Sequence, residues 1–241
     1  MQAWDKIPDG QKDANGAYYA DYTGIMSIGW NADKYGDISS LDDLLDPKFA
    51  GTVALNGKPA EAGAAFNGYL MANQLAGGDI NNLQPGLDFF KKLQEAGNLT
   101  TVDVTNGTID SGQTGVVFDW TYNQTSYKKE LKDKGVNWKY KTFPKAQVVS
   151  YYNQAINKDA PHPAAARLWE EYLYTADAQN LWFKGGANPV LLDSMKEDGT
   201  VDQATLKDAI TIEGEPVSYT NDDSTRITEW LQNNWDKTIG N

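Results

Sequence analysis

The order of apolar and polar positions along the chain predicts strands and helices that follow one another. Residues 17–31 are rich in aromatic side chains, which predicts a long strand broken at Gly24. Residues 114–120 form an apolar run typical of a strand in the middle of a sheet. Further strands are predicted at 52–55, 101–104, 137–143 and 148–156, and helices at 39–46, 60–75, 87–95, 126–134, 163–184 (broken near Asp177), 202–209 and 223–235. This alternation indicates an α/β fold with a mainly parallel sheet flanked by helices.

The composition is that of an acidic protein with a hydrophobic core. The 241 residues include 33 Asp and Glu against 21 Lys and Arg, which gives a net charge of −12. Hydrophobic residues make up 40% of the chain, and the length suits one large or two modest domains. The charge disfavours nucleic acid and anionic membranes as partners, since both require clustered Lys and Arg. No apolar run of 18 residues occurs, so no membrane-spanning helix is predicted.

Enzyme signatures are weak. The chain has no cysteine, and its single histidine, His162, lies between two prolines, where we interpret it as a turn residue ahead of a helix. The phosphate-binding loop, the G-x-S-x-G elbow and the H-E-x-x-H motif do not occur, and residues 107–112 are interpreted as a turn. Paired carboxylates of a carbohydrate-active enzyme stay open as an alternative. We therefore expect no catalytic residue, no metal site and no cofactor.

The most informative segment is the end of the predicted central strand. Asp119, Trp120 and Tyr122 follow its apolar residues directly. In a parallel α/β sheet, ligands bind beyond the carboxyl ends of the strands. Aromatic faces with a carboxylate suit a cationic amine. The alternative is that Trp120 and Tyr122 only close the end of the core.

A second strand end leads into a predicted helix at residues 56–64. Small residues such as Ala62 and the free N–H groups of a first helical turn suit a carboxylate or a phosphate, and Lys58 adds a positive charge. Glu61 either stabilises the helix start or contacts an amine. An ordinary helix start with a surface lysine is equally compatible with these residues.

Adjacent tyrosines occur in the predicted strand 148–156. Tyr151 and Tyr152 face opposite sides of a strand, so only one of them faces a given cleft. Adjacent tyrosines also hold ferric iron in some proteins, which would require carboxylates or an added anion here.

Several stretches, taken in order, resemble the extracellular solute-binding proteins of ABC importers, in the type II group of polyamine, γ-aminobutyrate and iron binders. They are 19–27 (YADYTGIMS), 41–51 (LDDLLDPKFAG), 85–97 (PGLDFFKKLQEAG), 154–163 (QAINKDAPHP), 166–174 (ARLWEEYLY) and 179–186 (QNLWFKGG). The resemblance covers roughly residues 15–190. It implies a two-lobed periplasmic or extracellular protein that closes on a small-molecule solute and docks on the permease subunits of the importer.

The resemblance also implies site residues. Tyr22 would lie on the first hinge strand, Glu61 on the helix-entry loop, Trp120 on the strand-end loop with Tyr122, and Tyr152 on the second hinge strand. Polyamine binders usually have an acid where Tyr152 falls. A short ω-amino acid such as γ-aminobutyrate therefore fits better than a polyamine, with ferric iron or a phosphonate as alternatives. Asp119 or Glu61 would hold the amine, and the 60–64 turn with Lys58 the acid group.

The same resemblance implies how the chain is organised. Residues 1–30 would be a remnant of the first lobe with the first hinge strand, and 31–147 the second lobe. Residues 148–190 would be the second hinge strand with first-lobe helices, and 191–241 C-terminal helices that return to the second lobe. Most of the first lobe is expected on another chain or segment, because only some 15 residues precede the hinge strand. No signal peptide begins at Met1, so we expect a mature form or a sequence cut at its front.

Overall fold

The aromatic segment near the start of the chain forms one long strand in the computed structural model, which describes residues 1–240. This strand, β1, runs over Tyr19–Asn31. The predicted break at Gly24 is wrong, because residues on both sides of it have strand partners: Thr23 pairs with Asn188 and Met26 with Trp120.

The other elements follow in chain order. The remaining strands are β2 (Val53–Leu55), β3 (Leu99–Thr100), β4 (Val116–Trp120), β5 (Trp138–Lys141), β6 (Val149–Gln154) and β7 (Asn188–Pro189). The helices are α1 (Ala32–Tyr35), α2 (Gly63–Leu75), α3 (Gln84–Glu95), α4 (Asn106–Asp110), α5 (Thr121–Leu131), α6 (Pro163–Leu173), α7 (Ala176–Lys184), α8 (Leu192–Glu197), α9 (Gln203–Asp208) and α10 (Asn221–Ile239). Short 3-10 turns lie at Trp4–Lys6, Asp9–Gln11, Asp42–Leu45, Pro47–Phe49, Lys132–Lys134 and Pro144–Ala146.

Three predicted elements take a different form. The predicted strand at 101–104 is wrong, since β3 ends at Thr100, and the expected turn at 107–112 contains most of α4. Thr105 caps this helix: its side chain accepts from the backbone N–H of Thr108, whose side chain accepts from the N–H of Thr105. The predicted helix at 39–46 is only a 3-10 turn, and a second 3-10 turn starts at Pro47. His162 precedes α6 and is its N-cap residue, as predicted.

The chain divides into two units by its internal contacts. The first contains residues 1–25 and 150–212, and the second contains residues 26–149 and the segment from Glu213 onwards. Strand β1 therefore contributes its first half to one unit and its second half to the other. Residues 191–212 belong to the first unit because Leu191, Met195 and Val201 pack in its core. The lobe boundaries implied by the resemblance stay a prediction.

The second unit contains the larger sheet. Its strand order is β3-β2-β4-β1-β5. Strand β2 pairs in parallel with β3 and β4, whereas β1 pairs antiparallel with β4 and β5. Strands β3, β2, β4 and β5 therefore point one way and β1 points the other. This mainly parallel sheet, flanked by helices, confirms the predicted fold class.

The core of the second unit forms between the sheet and its helices. Helices α2 and α3 pack on each other, and α10 packs on α3. Aromatic rings fill the space between them, with Phe90 at the centre. The centroid of its ring lies 5.9 Å from that of Tyr69, 5.2 Å from that of Trp235 and 5.9 Å from that of Phe118. A smaller cluster, containing Trp138, lies around α5. None of the helices formed by residues 1–240 combines the length and apolar character that a membrane span requires.

The first unit is built around the opening half of β1. Tyr22 and Thr23 pair antiparallel with β7, and the N–H of Ser150 donates to the side chain of Thr23. Helices α6, α7 and α8 supply Leu173, Phe183 and Met195 to the core of this unit. Tyr19 packs edge-on against Tyr174 at 5.3 Å, and its hydroxyl donates to the buried carboxylate of Glu170.

Gly29 on β1 gives a stability prediction. A β-carbon there would lie 2.6 Å from Cδ of Gln124 and 2.8 Å from Cζ2 of Trp138. Gln124 cannot move aside without losing hydrogen bonds, because its side chain donates to the carbonyl of Val117 and accepts from the indole N–H of Trp138. Gly29→Ala is therefore expected to lower the free energy of unfolding by about 1–3 kcal/mol in urea denaturation. Gly107→Ala is the control, since its nearest contact would be an ordinary 3.6 Å; equal midpoints for the two variants would contradict the prediction.

Candidate functional site

The carboxyl ends of β2 and β4 share one edge of the second unit's sheet, because these strands are parallel neighbours. Leu55 pairs with Phe118 at this edge. Residues 56–62 connect β2 to α2, and α5 begins at Thr121 directly after β4. We call this region the strand-end edge. It carries the second unit's sequence-predicted site residues, Lys58, Glu61, Ala62, Asp119, Trp120 and Tyr122.

Asp119 is enclosed at the strand-end edge. Its side chain is 0% exposed, and each carboxylate oxygen accepts two hydrogen bonds. One oxygen accepts from the N–H of Trp120 at 2.8 Å and from the amide of Asn123 at 2.9 Å. The other accepts from the amide of Asn56 at 2.8 Å and from the hydroxyl of Tyr127 at 2.9 Å. Burial raises the pKa of Asp119, and these four donors offset part of that rise.

Trp120 and Tyr122 form a stacked pair, with ring centroids 6.3 Å apart and planes at 18°. The Trp120 side chain is only 5% exposed and belongs to the core of the second unit, while Tyr122 is partly exposed and packs against that core. In this structure Trp120 thus closes the end of the core, which was one of the two interpretations of its sequence position. Tyr122 presents the more accessible ring.

The loop 56–62 is tightly turned before α2. The carbonyl of Lys58 accepts from the backbone N–H groups of Glu61 and Ala62. Gly57 has a φ of +103°, and a β-carbon there would lie 2.5 Å from Cβ of Ala62, so this turn requires glycine. Ala62 is the N-cap of α2 and Trp120 the N-cap of α5, and neither side chain caps its helix. The strand-end edge therefore contains two helix N-termini without a capping side chain, a favourable place for a negative group.

The two charged residues of this loop lie at the surface. Lys58 lines a cavity of about 220 Å³ with Pro59, Thr101 and Trp235, among others, and neither Trp120 nor Tyr122 lines it. Glu61 is exposed, and among residues 1–240 its carboxylate has no recorded hydrogen bond or ion pair. Glu61 is therefore an accessible carboxylate at the strand-end edge, in contrast to the enclosed Asp119.

The first unit holds the other two predicted residues in a three-ring stack. The ring of Tyr22 lies between those of Tyr152, at 5.0 Å, and Trp182, at 4.4 Å. Tyr152 is 49% exposed, so the stack reaches the surface. Burial, with the nearby Tyr152 and Asp21, raises the pKa of Tyr22. Its hydroxyl therefore stays protonated at neutral pH.

A second buried carboxylate, Asp21, lies beside this stack. Its oxygens accept from the side-chain amides of Gln154 at 3.0 Å and Gln179 at 2.9 Å. Burial raises the pKa of Asp21, and the two amides lower it in part. The indole N–H of Trp182 also lies near this carboxylate and lowers its pKa, although it falls outside hydrogen-bond geometry.

The adjacent tyrosines on β6 divide between two environments, as strand alternation predicts. Tyr151 packs against the core of the first unit, and burial raises its pKa. Tyr152 contacts Tyr22 instead. In the described part of the chain, no group of three or more His, Cys, Asp and Glu side chains is placed to hold a metal ion.

Sequence reasoning missed the residues that support these groups. Trp182 entered the sequence analysis only as part of the stretch 179–186, and its contact with Tyr22 depends on how α7 packs beside β1. Asn56 and Asn123 were not singled out, although each is an amide at a predicted strand end. That position was the available signal, since buried carboxylates are usually paired with such donors.

Three solved structures share this fold. The periplasmic binding protein AfuA from Actinobacillus pleuropneumoniae, with fructose-6-phosphate bound, has a TM-score of 0.68 at 19% identity over 98% of this chain and 73% of its own. Iron-bound HitA from Pseudomonas aeruginosa has a TM-score of 0.66 at 19% identity over 96% of this chain and 74% of its own. The spermidine/putrescine transporter substrate-binding protein PotD from Streptococcus pneumoniae has a TM-score of 0.65 at 14% identity over 98% of this chain and 77% of its own. At these identities the likeness shows the fold alone.

The family comparison agrees with the resemblance in the sequence. None of the curated proteins compared with the chain matches it. A family model described as bacterial extracellular solute-binding protein matches residues 1–209. A match over most of the length shows the family, so this chain belongs to the bacterial extracellular solute-binding proteins.

Proposed function

We propose that this chain is the solute-binding component of an ABC importer and captures a small polar solute that bears an amine. A γ-aminobutyrate-like ω-amino acid is favoured, and a polyamine is next. The proposal includes the cleft closure and the delivery to a membrane permease that the family resemblance implies, outside the cytoplasm. It includes no catalytic step, because the family is one of binding proteins.

One observation carries the choice of solute. The exposed carboxylate of Glu61 lies at the strand-end edge, where α2 and α5 begin without capping side chains. A carboxylate suits an ammonium group, and uncapped helix N-termini suit an acid group. A molecule with an amine at one end and an acid at the other satisfies both. We assign the amine to Glu61, the acid group to residues 60–64 with Lys58, and the aromatic contact to Tyr122 with Trp120 behind it.

Tyr22 and Tyr152 are proposed solute contacts of the first unit, taken by itself. Their stack with Trp182 offers ring faces and hydroxyl groups. Ferric iron stays an alternative solute, since adjacent tyrosines hold it in some proteins when carboxylates or an added anion complete the coordination. Asp119, proposed from sequence as an alternative amine contact, is less suited to that role because its oxygens are enclosed.

A thermal-shift panel tests the proposal. The solutes are γ-aminobutyrate, putrescine, 2-aminoethylphosphonate and ferric citrate, chosen because proteins of this fold include a sugar-phosphate complex, an iron complex and a polyamine transporter component. At a hundredfold excess over its dissociation constant, a bound solute adds about 2.7 kcal/mol of stability, enough to raise the melting temperature by several degrees. We expect this rise with γ-aminobutyrate and a smaller one with putrescine. A rise with ferric citrate alone would reject the choice of solute.

A further inference from the structure

The carboxylate of Asp21 connects the three elements of the first unit that carry the rings of the three-ring stack. Asp21 itself lies on β1, directly before Tyr22. One of its oxygens accepts from the side-chain amide of Gln154 at 3.0 Å. Gln154 is the last residue of β6 and follows Tyr152 by two positions. This hydrogen bond therefore holds the end of β6, and with it the segment that carries Tyr152, beside β1.

The other oxygen of this carboxylate connects α7 to the same point. It accepts from the side-chain amide of Gln179 at 2.9 Å, and Gln179 is 0% exposed. The same amide donates to the carbonyl of Leu173, and the side-chain oxygen of Gln179 accepts from the N–H of Leu191. Trp182 follows three positions later, on the same side of the helix. The hydrogen bond therefore fixes the side of α7 from which Trp182 reaches Tyr22.

The position of Trp182 is not set by a hydrogen bond of its own. Its indole N–H is buried and has no hydrogen-bond partner among residues 1–240, although it lies near the Asp21 carboxylate. Buried polar groups are nearly always hydrogen-bonded, so this N–H is an exception that other contacts must offset. Those contacts are the ring of Tyr22, at 4.4 Å and an interplanar angle of 26°, and the helix that Gln179 holds.

Asp21 carries a charge that no cation in the described part of the chain neutralises. Its side chain is 0% exposed, and its hydrogen-bond donors are the amides of Gln154 and Gln179. Burying a carboxylate without a cation is unfavourable, and hydrogen bonds offset only part of the cost. Such a group contributes little net stability, so we interpret it as one that selects a particular arrangement of its neighbours. The neighbours here are the elements that carry the rings.

We propose that Asp21 is a positioning residue: it holds β6 and α7 against β1 and so fixes the three-ring stack that the proposed function offers to the solute. The inference rests on the proposed function for the role of Tyr22 and Tyr152 as solute contacts. The stack reaches the surface, since Tyr152 is 49% exposed. Rings that are fixed before the solute arrives bind it more tightly than rings that binding has to order, because ordering side chains costs free energy.

Gln154→Ala tests this inference. The variant cuts the connection to β6 and leaves the carboxylate of Asp21 with Gln179. Gln154 is only partly buried, so we expect the variant to fold. Asp21→Ala is less suitable, because it removes the partner of two amides and so lowers stability for a separate reason.

The matched control is Asn180→Ala, on α7 in the same unit. Asn180 is also a partly buried amide, and its side chain donates to the carbonyl of Thr200 and accepts from the N–H of Asp202. Neither of these bonds involves a ring of the stack. A general loss of stability would therefore act on both variants, whereas a loss of ring position is expected only in Gln154→Ala.

The first readout needs no solute. It is the NMR signal of the Tyr22 ring protons, which the two neighbouring rings shift upfield and which the spectrum of Tyr22→Phe assigns. Tyr152→Ala gives the shift that remains when one neighbouring ring is removed. We expect the signals of Gln154→Ala to move from the wild-type position towards that of Tyr152→Ala, and those of Asn180→Ala to stay at the wild-type position. Wild-type signals in Gln154→Ala would overturn the inference.

The second readout is the affinity for γ-aminobutyrate, measured by calorimetry. Gln154→Ala is expected to bind about fivefold more weakly, the factor that one hydrogen bond of ordinary net strength supplies, and Asn180→Ala as tightly as the wild type. If the Tyr22 signals move but Gln154→Ala binds as tightly as the wild type, the stack is not part of the site and the inference is overturned. If the signals move and the wild type itself binds no solute, the positioning of the rings is supported and the proposed function is rejected.

Discussion

Trp120→Ala is expected to lower the free energy of unfolding of the second unit by about 3–5 kcal/mol, the usual cost of truncating a buried aromatic side chain to alanine. The indole is 5% exposed and belongs to the core of this unit, so the substitution leaves a cavity at the end of β4. It also removes the stacked contact with Tyr122. Urea denaturation followed by far-ultraviolet circular dichroism measures the loss.

Trp120→Phe is the matched control for this prediction. A phenyl ring keeps most of the buried apolar area and an aromatic face for Tyr122, so we expect it to retain most of the stability. A loss below about 1 kcal/mol for Trp120→Ala would mean that the ring does not support the core. Solute binding is then measured for both variants under conditions in which they are folded. If the site does not use the stacked pair of Trp120 and Tyr122, both variants bind solute as tightly as the wild type.

Glu61→Gln is expected to weaken the binding of γ-aminobutyrate roughly tenfold to a hundredfold, because a hydrogen bond to a charged group contributes about 1.5–3 kcal/mol. The variant keeps the size and shape of the side chain and removes its charge. Since Glu61 is exposed and its carboxylate has no recorded partner within residues 1–240, the fold is expected to be unchanged. Calorimetric titration measures the affinity, and thermal denaturation checks the fold.

The control for this prediction is Glu229→Gln, which removes the charge of an exposed carboxylate on α10. Both variants change the net charge of the protein equally, so a long-range effect of charge would act on both. The assignment of the amine to Glu61 requires that only Glu61→Gln weakens binding. Equal affinities for the two variants would contradict that assignment.

The sequence predicts the class of fold because its strongest patterns are local. The apolar run before Trp120 and the amphipathic segment after Gln84 form β4 and α3 close to their predicted limits. The segments at Gly24 and at 101–104 were interpreted wrongly. Gly24 lies inside one strand because residues on both sides of it have strand partners, and β3 ends at Thr100, before 101–104. Strand pairing is not visible in hydrophobic periodicity.

The candidate site was predicted in position and less well in role. Parallel strand ends meet at one edge, and the structure has Glu61 in the loop after β2 at that edge. Tyr122 lies in the first turn of α5 and not on the strand-end loop that the resemblance implied, because α5 begins directly after β4. Asp119 was expected to face a solute, but an exposed carboxylate and an enclosed one have the same residue type in a sequence. The four donors that enclose Asp119 come from Asn56, Trp120, Asn123 and Tyr127, and only the folded chain brings them together.

The stack in the first unit shows a similar limit. Tyr22 and Tyr152 were selected through the family resemblance, one residue at a time. Their contact at 5.0 Å, and the addition of Trp182 at 4.4 Å, depend on tertiary packing among residues more than 100 positions apart in the chain. The resemblance therefore names candidate rings but does not show which of them touch.

Calorimetric titration of the chain with γ-aminobutyrate at pH 7 tests solute capture most sharply. We expect saturable binding of one solute per chain with a dissociation constant in the micromolar range or below, and weaker binding by Glu61→Gln. Putrescine, 2-aminoethylphosphonate and ferric citrate are titrated alongside it. Absence of heat with γ-aminobutyrate and putrescine, confirmed at a second temperature, would contradict the claim that this chain captures an amine-bearing solute.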